Sequence, residues 1–122
     1  MRIREISEQL HAGKISCTEL AMACLKAIAK EDQSGRRLNS VAEIDPNVLF
    51  AARQIDEEIR KDGPRGPLHG IPVLIKDNID CKGLHTTAGS LALGDLIAKE
   101  DAPVTARLRA AGALVLGKTN LS

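Results

Sequence analysis

Apolar residues recur at helical spacing over the first thirty positions and predict two helices. Ile3, Ile6 and Leu10 lie on one stripe, and Gly13 follows where a left-handed C-terminal cap belongs. The segment Ser16-Cys-Thr-Glu19 then has the residues of a capping box, in which the serine hydroxyl and the glutamate carboxylate accept hydrogen bonds from free N–H groups. We expect a second helix from that point. Its inward stripe consists of Cys17, Leu20, Ala21, Cys24, Leu25 and Ile28.

The middle of the chain predicts a loop, a strand and a third helix. The polar stretch Glu31-Asp-Gln-Ser-Gly35 interrupts the helical period, and the weak alternation from Leu38 to Ile44 favours a short strand. Asp45-Pro46 predicts a helix start, with the aspartate as N-cap and the proline at the first position, where its missing N–H costs nothing. That helix ends at Gly63-Pro64 and buries Val48, Ala52, Ile55 and Ile59.

Two short apolar runs in the second half predict buried strands. Gly63 to Gly70 holds three Gly and two Pro in eight residues, which is typical of a shaped loop. Ile71 to Ile75 and Ala113 to Leu116 are the strands, and Pro103 to Ala111 is a helix between them with Val104, Leu108 and Ala111 inward. Strands that alternate with helices indicate an α/β fold, with N-terminal helices leading into a mixed, helix-covered sheet.

Composition narrows the classes of function. The 122 residues carry 17 Lys+Arg against 16 Asp+Glu, and the only aromatic residue is Phe50, so neither a basic surface nor a stacking platform for nucleic acid is expected. No apolar run approaches the roughly 20 residues of a membrane span. Three cysteines without a CxxC spacing, and a charged N-terminus without a secretory apolar region, favour the reducing cytoplasm.

Two further motifs predict little chemistry. Gly112 to Thr119 fits the phosphate-loop pattern GxxxxGK[ST], but its four middle residues look like a strand rather than a loop, so a nucleotide site is not favoured. His11, His69 and His85 lack the paired spacing of metal ligands, so we expect neither a metal nor an organic cofactor.

Lys76, which directly follows an apolar strand, allows two interpretations. It is either a solvated charge at a sheet edge or an amine that desolvation keeps neutral, so that it accepts a proton. The residue pattern alone favours the solvated charge. The Gly/Pro loop before it and the small-residue loop Thr86 to Ser90 after it are typical of sites where backbone approaches a ligand closely, and both interpretations stay open.

Three linked blocks closely resemble the N-terminal part of the amidase signature family. They are Gly66-Pro-Leu-His-Gly-Ile-Pro-Val-Leu-Ile-Lys-Asp-Asn78, Thr86-Thr-Ala-Gly-Ser90 and Ala110-Ala-Gly-Ala-Leu-Val-Leu-Gly-Lys-Thr-Asn120. The resemblance implies hydrolysis of carboxamides by a Ser-Ser-Lys triad without cofactor. It assigns Lys76 as the base, which takes a proton through a bridging serine in a cis peptide bond and so activates a second serine.

The family carries both serines in a Gly-Ser-rich block after the GKTN strand, and the present sequence stops at Ser122. Ser90 belongs to the TTAGS loop and Ser122 to the KTNLS turn, so neither is assigned the nucleophile. We therefore expect residues 1–122 to be the N-terminal segment of one amidase domain, truncated before that block and inactive alone. The small-molecule amide substrate would be bound by the full-length enzyme.

An incomplete sheet also has consequences for partners. We expect its exposed edge to make the segment unstable alone or to favour self-association or pairing with another chain. Direct contact with nucleic acid or membrane is not expected. The alternative function is a stand-alone, non-catalytic interaction module that uses the partial sheet.

Overall fold

The computed structural model describes residues 2–33, 41–86 and 97–119. Within these ranges the fold has four helices and one three-stranded sheet, which confirms the predicted α/β class. In chain order the elements are α1 (Ile3–His11), α2 (Cys17–Gln33), β1 (Val41–Ile44), α3 (Val48–Asp62), β2 (Pro72–Lys76), α4 (Pro103–Ala110) and β3 (Leu114–Thr119).

The first two helices begin and end as predicted, with one exception. Gly13 follows α1 with φ of 79°, a left-handed conformation that glycine adopts without strain. Ser16 N–H donates to Glu19 Oε1 at 3.1 Å and Glu19 N–H donates to Ser16 Oγ at 2.9 Å, which confirms the capping box. The predicted break at Glu31 is wrong, because α2 continues to Gln33. Glu and Gln are good helix formers, so a polar stretch ends the apolar stripe without ending the helix.

Helix α3 begins three residues later than its predicted N-cap. The carboxylate of Asp45 accepts a hydrogen bond from Asn47 N–H at 2.9 Å, and its carbonyl accepts one from Val48 N–H at 3.1 Å. Asp45 therefore forms a turn that leads into the helix, and Asn47 occupies the N-cap position. The predicted buried stripe is confirmed for Val48, Ala52 and Ile55.

Strand β3 is the centre of the sheet, with β1 antiparallel on one side and β2 parallel on the other. It is longer than predicted, since it continues through Gly117 and Lys118 to Thr119, and residues 114–118 are all buried. Gly117 lies so close to the backbone of β1 that a Cβ atom would overlap the carbonyl oxygen of Glu43. The glycine of the phosphate-loop pattern is therefore explained by strand packing.

Two apolar clusters cover the two faces of the sheet. Leu114 and Leu116 pack with residues of α1, α2 and α3, whereas Val115 packs on the other face with Ile75, Cys81, Leu84 and Leu108. This division follows the twofold alternation of a strand.

The inward face of α4 differs from the prediction. Val104 is 47% exposed, and Thr105 is the fully buried residue of the first turn. The Thr105 hydroxyl donates to Asp80 O at 2.8 Å, and this bond satisfies a polar group that apolar periodicity does not detect. Among the helices of the three described ranges, none has the combination of length and apolarity that a membrane span needs.

Candidate functional site

The parallel strands β2 and β3 end side by side, with Lys76 paired to Thr119. In open α/β sheets, the carboxyl ends of parallel strands form the edge at which ligands bind. The side chain of Lys76 is exposed there, and it forms no ion pair within the described ranges. The structure thus places the lysine singled out in the sequence at the end of the sheet suited to a reaction site.

Backbone hydrogen bonds fix the chain on both sides of Lys76. Asp77 N–H donates to Thr119 O at 2.8 Å, which extends the β2–β3 pairing by one residue. Ile79 N–H donates to Lys76 O at 2.9 Å, which closes a turn directly after the strand. The position of the Lys76 backbone is therefore set by the central strand and by this turn.

Residues 77–86, which we call the post-strand connection, are tied to α4 and to the segment before it. Asp80 O accepts hydrogen bonds from Ala102 N–H at 3.0 Å and from the Thr105 hydroxyl at 2.8 Å. Lys82 N–H donates to Asp101 Oδ1 at 2.7 Å. The connection therefore has polar anchors along its length, which is how a loop keeps a defined shape at a site.

The far end of the connection is bound to β1 by one carboxylate. Glu43 accepts hydrogen bonds from His85 N–H at 2.7 Å and from the His85 ring Nδ1 at 2.9 Å. Because a carboxylate only accepts, Nδ1 carries the proton. The neighbouring Thr86 hydroxyl donates to Asp80 Oδ1 at 2.6 Å and so ties the end of the connection to its middle.

Lys118, from the unfavoured phosphate-loop motif, is fully buried beneath the connection. Its Nζ donates to Asp77 O at 3.1 Å and to His85 O at 3.0 Å. These contacts were not predicted, because the two carbonyls are 41 and 33 residues away in the chain. The sequence signal was a lysine that continues a run of strand residues.

The other two histidines hold the Gly/Pro loop of residues 63–70 in place. Arg65 N–H donates to Nδ1 of the fully buried His69 at 3.0 Å, so Nε2 carries the proton and donates to Glu58 Oε1 at 3.0 Å. His11 Nε2 donates to His69 O at 3.0 Å. Within the described ranges, no group of three His, Cys, Asp or Glu residues could hold a metal ion.

The three cysteines are free thiols in surroundings that disfavour the thiolate. Burial, with smaller contributions from the charge of Asp56 and from Cys24, raises the pKa of Cys17 to about 12. Burial also raises the pKa of Cys24 and of Cys81. Such thiols are poor nucleophiles, so the prediction that Cys17 packs inward as a small apolar residue is confirmed. Cys24 is half-buried and packs against the same cluster.

The serines discussed for the sequence, Ser90 and Ser122, lie outside the described residues. The segment Leu114 to Leu116, in the middle of the phosphate-loop pattern, is strand β3. A phosphate loop needs a loop at those positions whose N–H groups point to the ligand. In β3, these N–H groups belong to a paired strand instead.

Comparisons with known proteins identify relatives over almost the whole chain. Residues 19–122 match the model of the Amidase family. A subunit of the glutamyl-tRNA(Gln) amidotransferase from Cupriavidus metallidurans is 38% identical over 119 residues, which are 98% of this chain and 23% of that protein.

Solved structures show the same architecture. The native peptide amidase from Stenotrophomonas maltophilia has a TM-score of 0.94 at 46% identity, over 100% of this chain and 25% of that one. An amidase family protein from Bacillus anthracis has a TM-score of 0.91 at 41% identity and is covered over 24% of its length. The chain therefore spans about a quarter of the length of the relatives it matches.

Proposed function

Because this chain belongs to the amidase family, we propose that it is the N-terminal segment of one amide hydrolase domain and supplies the catalytic base, Lys76. The reaction is hydrolysis of a carboxamide, R–CO–NH₂ plus water to the carboxylic acid plus ammonia. The observation that carries the proposal is the place of Lys76: an exposed amine at the shared carboxyl end of two parallel strands, on a backbone fixed on both sides.

In the proposed mechanism Lys76 acts on the nucleophile through a relay. Its neutral amine accepts a proton from a bridging serine, which in turn takes the proton of the nucleophilic serine as that oxygen attacks the amide carbon. The tetrahedral intermediate then expels ammonia, and water hydrolyses the acyl-enzyme. Backbone N–H groups stabilise the negative charge on the former carbonyl oxygen. We assign both serines, by the family resemblance, to a Gly-Ser-rich block that follows the GKTN strand.

The exposure of Lys76 defines what the rest of the domain has to supply. A lysine serves as a base only where its surroundings disfavour the charged form. Residues of this chain leave the side chain open to water, so we propose that the remaining three quarters of the domain cover Lys76 as well as bringing the two serines to it. The segment alone is accordingly inactive.

Pairing along the sheet is the proposed contact with that remainder. In the described ranges β2 pairs only with β3, and Leu74 in β2 is 36% exposed. We propose that this edge of β2 joins the rest of the amidase sheet, and that isolated segments associate with one another through it.

The substrate is a small-molecule amide, and the even charge of the chain supports a role without direct nucleic-acid contact. The relative from Cupriavidus metallidurans belongs by name to a tRNA amidotransferase. If this chain acts in such an assembly, we propose that a different protein of the assembly binds the RNA. Three free thiols support a cytoplasmic location.

A hybrid enzyme tests the proposal. This chain replaces the matching quarter of the Stenotrophomonas maltophilia peptide amidase, and hydrolysis of a peptide amide is followed by ammonia release. We expect the hybrid to be active, the isolated chain to be inactive, and Lys76→Ala to abolish the activity of the hybrid. Lys82→Ala, which removes a lysine from the exposed part of the post-strand connection, is the matched control and retains activity. Hydrolysis by the isolated chain would contradict the proposal.

A further inference from the structure

Lys118 has surroundings that are unusual for a lysine. Its side chain is fully buried, and both of the hydrogen-bond acceptors that it contacts are backbone carbonyls, of Asp77 and His85. Lysines are almost never fully buried unless paired. The residues before it in β3, Leu114, Val115 and Leu116, show that the strand is otherwise built from aliphatic side chains.

Burial of this amine has a cost that an aliphatic side chain would avoid. Removing a charged or strongly polar group from water costs several kcal/mol unless hydrogen bonds replace the lost hydration. A methionine or leucine would fill the same strand position without that cost. The gain from lysine is therefore the pair of hydrogen bonds that Nζ donates, and these bonds indicate what the residue does.

The sheet register directs Lys118 toward the post-strand connection. A bulge between β2 and β3 places Lys118 opposite Ile75, and neighbouring residues of paired strands project on the same face. Ile75 and Cys81 belong to the apolar cluster on that face, and the charge of Lys118 acts on the Cys81 thiol. Lys76, the next residue of β2, projects from the opposite face by strand alternation.

Lys118 therefore acts on Lys76 through the backbone. The carbonyl of Lys76 is bonded to Ile79 N–H, and the N–H of Asp77 is bonded to Thr119 O. The Lys118 bond to Asp77 O completes this set, so that the polar groups of the peptides on both sides of the strand end are held. The second bond, to His85 O, joins the start of the connection to its end.

We propose that Lys118 is a positioning residue for Lys76: its buried Nζ fixes the end of β2 and closes the post-strand connection, so that the amine on the opposite face is held in place. The inference rests on the proposed function of Lys76 for its meaning in catalysis. The clasp itself, defined as the two bonds from Lys118 Nζ, is independent of that function. Neither the phosphate-loop pattern nor a nucleotide is involved.

Amide hydrogen exchange on the 122-residue chain tests the clasp directly. Lys118→Met keeps the length of the side chain and removes the donor. We expect exchange at Asp77 and Ile79 N–H to become at least tenfold faster, while the reference amides Leu20 and Ala51, which lie in α2 and α3, change less than threefold. Lys82→Met, which removes an exposed lysine of the same connection, should leave all four rates unchanged.

Two further variants separate positioning from general stability. Lys118→Arg retains a cationic donor, so exchange at Asp77 N–H should lie between the unmutated and Lys118→Met rates. In the hybrid peptide amidase, Lys118→Met should lower kcat about a hundredfold with KM changed less than threefold, because a base that is misplaced by about 1 Å loses its alignment.

The outcomes distinguish this proposal from the proposed function. Equal acceleration at the reference amides and at Asp77 and Ile79 would show a merely structural role and overturn the inference. Unchanged exchange in Lys118→Met, or unprotected Asp77 N–H in the unmutated chain, would also overturn it. An active Lys76→Ala hybrid would instead refute the proposed base, whatever the exchange rates show.

Discussion

The thiol of Cys17 makes the stability of this chain sensitive to alkaline pH. Cys17 is fully buried between α2 and the Gly/Pro loop, and its S–H donates to Gly70 O at 3.4 Å. Burial, with the nearby carboxylate of Asp56, raises the pKa from 9.0 to about 12. The folded chain therefore keeps the proton over a pH range in which the unfolded chain releases it.

The sign and size of the effect follow from proton linkage. A group whose pKa is higher in the folded state gives stability that is complete below the unfolded pKa, near 9.0, and is lost as pH rises toward about 12. Between pH 8 and pH 10, the unfolded thiol goes from mostly protonated to mostly ionised, while the folded thiol does not change. One such group lowers the free energy of unfolding by about 1.4 kcal/mol over this interval.

Urea unfolding of the chain and of Cys17→Ala measures this contribution. Far-UV circular dichroism is the suitable probe because the chain has no Trp or Tyr, and the absence of Tyr also removes a competing titration near pH 10. At one fixed protein concentration, the unmutated chain should lose about 1.4 kcal/mol more than Cys17→Ala between pH 8 and pH 10. The raised pKa values of Cys24 and Cys81 act in both proteins and cancel. Equal losses in the two proteins would refute the reasoning.

Three other predictions concern the scaffold around the site. Asp56→Ala should lower the free energy of unfolding by about 1–2 kcal/mol in urea titrations, because the first turn of α2 loses an acceptor for Cys17 N–H, Thr18 N–H and the Thr18 hydroxyl; the exposed Asp62→Ala should change it by less than about 0.5 kcal/mol. Gly117→Ala should speed amide exchange in β1 while α3 stays protected, since its Cβ would overlap the Glu43 backbone; unchanged β1 exchange would show that the strands tolerate a side chain there. The isolated chain should sediment as oligomers through the edge of β2, and a monomer that unfolds cooperatively would contradict that expectation.

Local signals in the sequence predicted local structure well. The capping box at Ser16 and Glu19 was predictable because all of its atoms lie within one helical turn. The start of α3 was not, because Asp45 can serve either as a helix cap or as the first residue of a turn, and both use the same carboxylate.

The candidate site was predictable only in part, for the same physical reason. Lys76 was identified from its place after an apolar run and from the family resemblance. Lys118 and Glu43 were missed because their partners are brought together by the sheet: β3 lies between β1 and β2, which are far apart in sequence. Val104 was assigned to the core because periodicity reports apolar positions and not the hydrogen bond that allows Thr105 to be buried.

The central claim is that Lys76 is the base of an amide hydrolase. Its most direct test is the ratio of kcat/KM between Lys76→Ala and Lys82→Ala in the hybrid peptide amidase, with a peptide amide as substrate. Loss of the base should lower kcat/KM about 10³-fold or more relative to the control, because proton transfer from the nucleophile would lack an acceptor. A Lys76→Ala hybrid within tenfold of the Lys82→Ala hybrid would contradict the account.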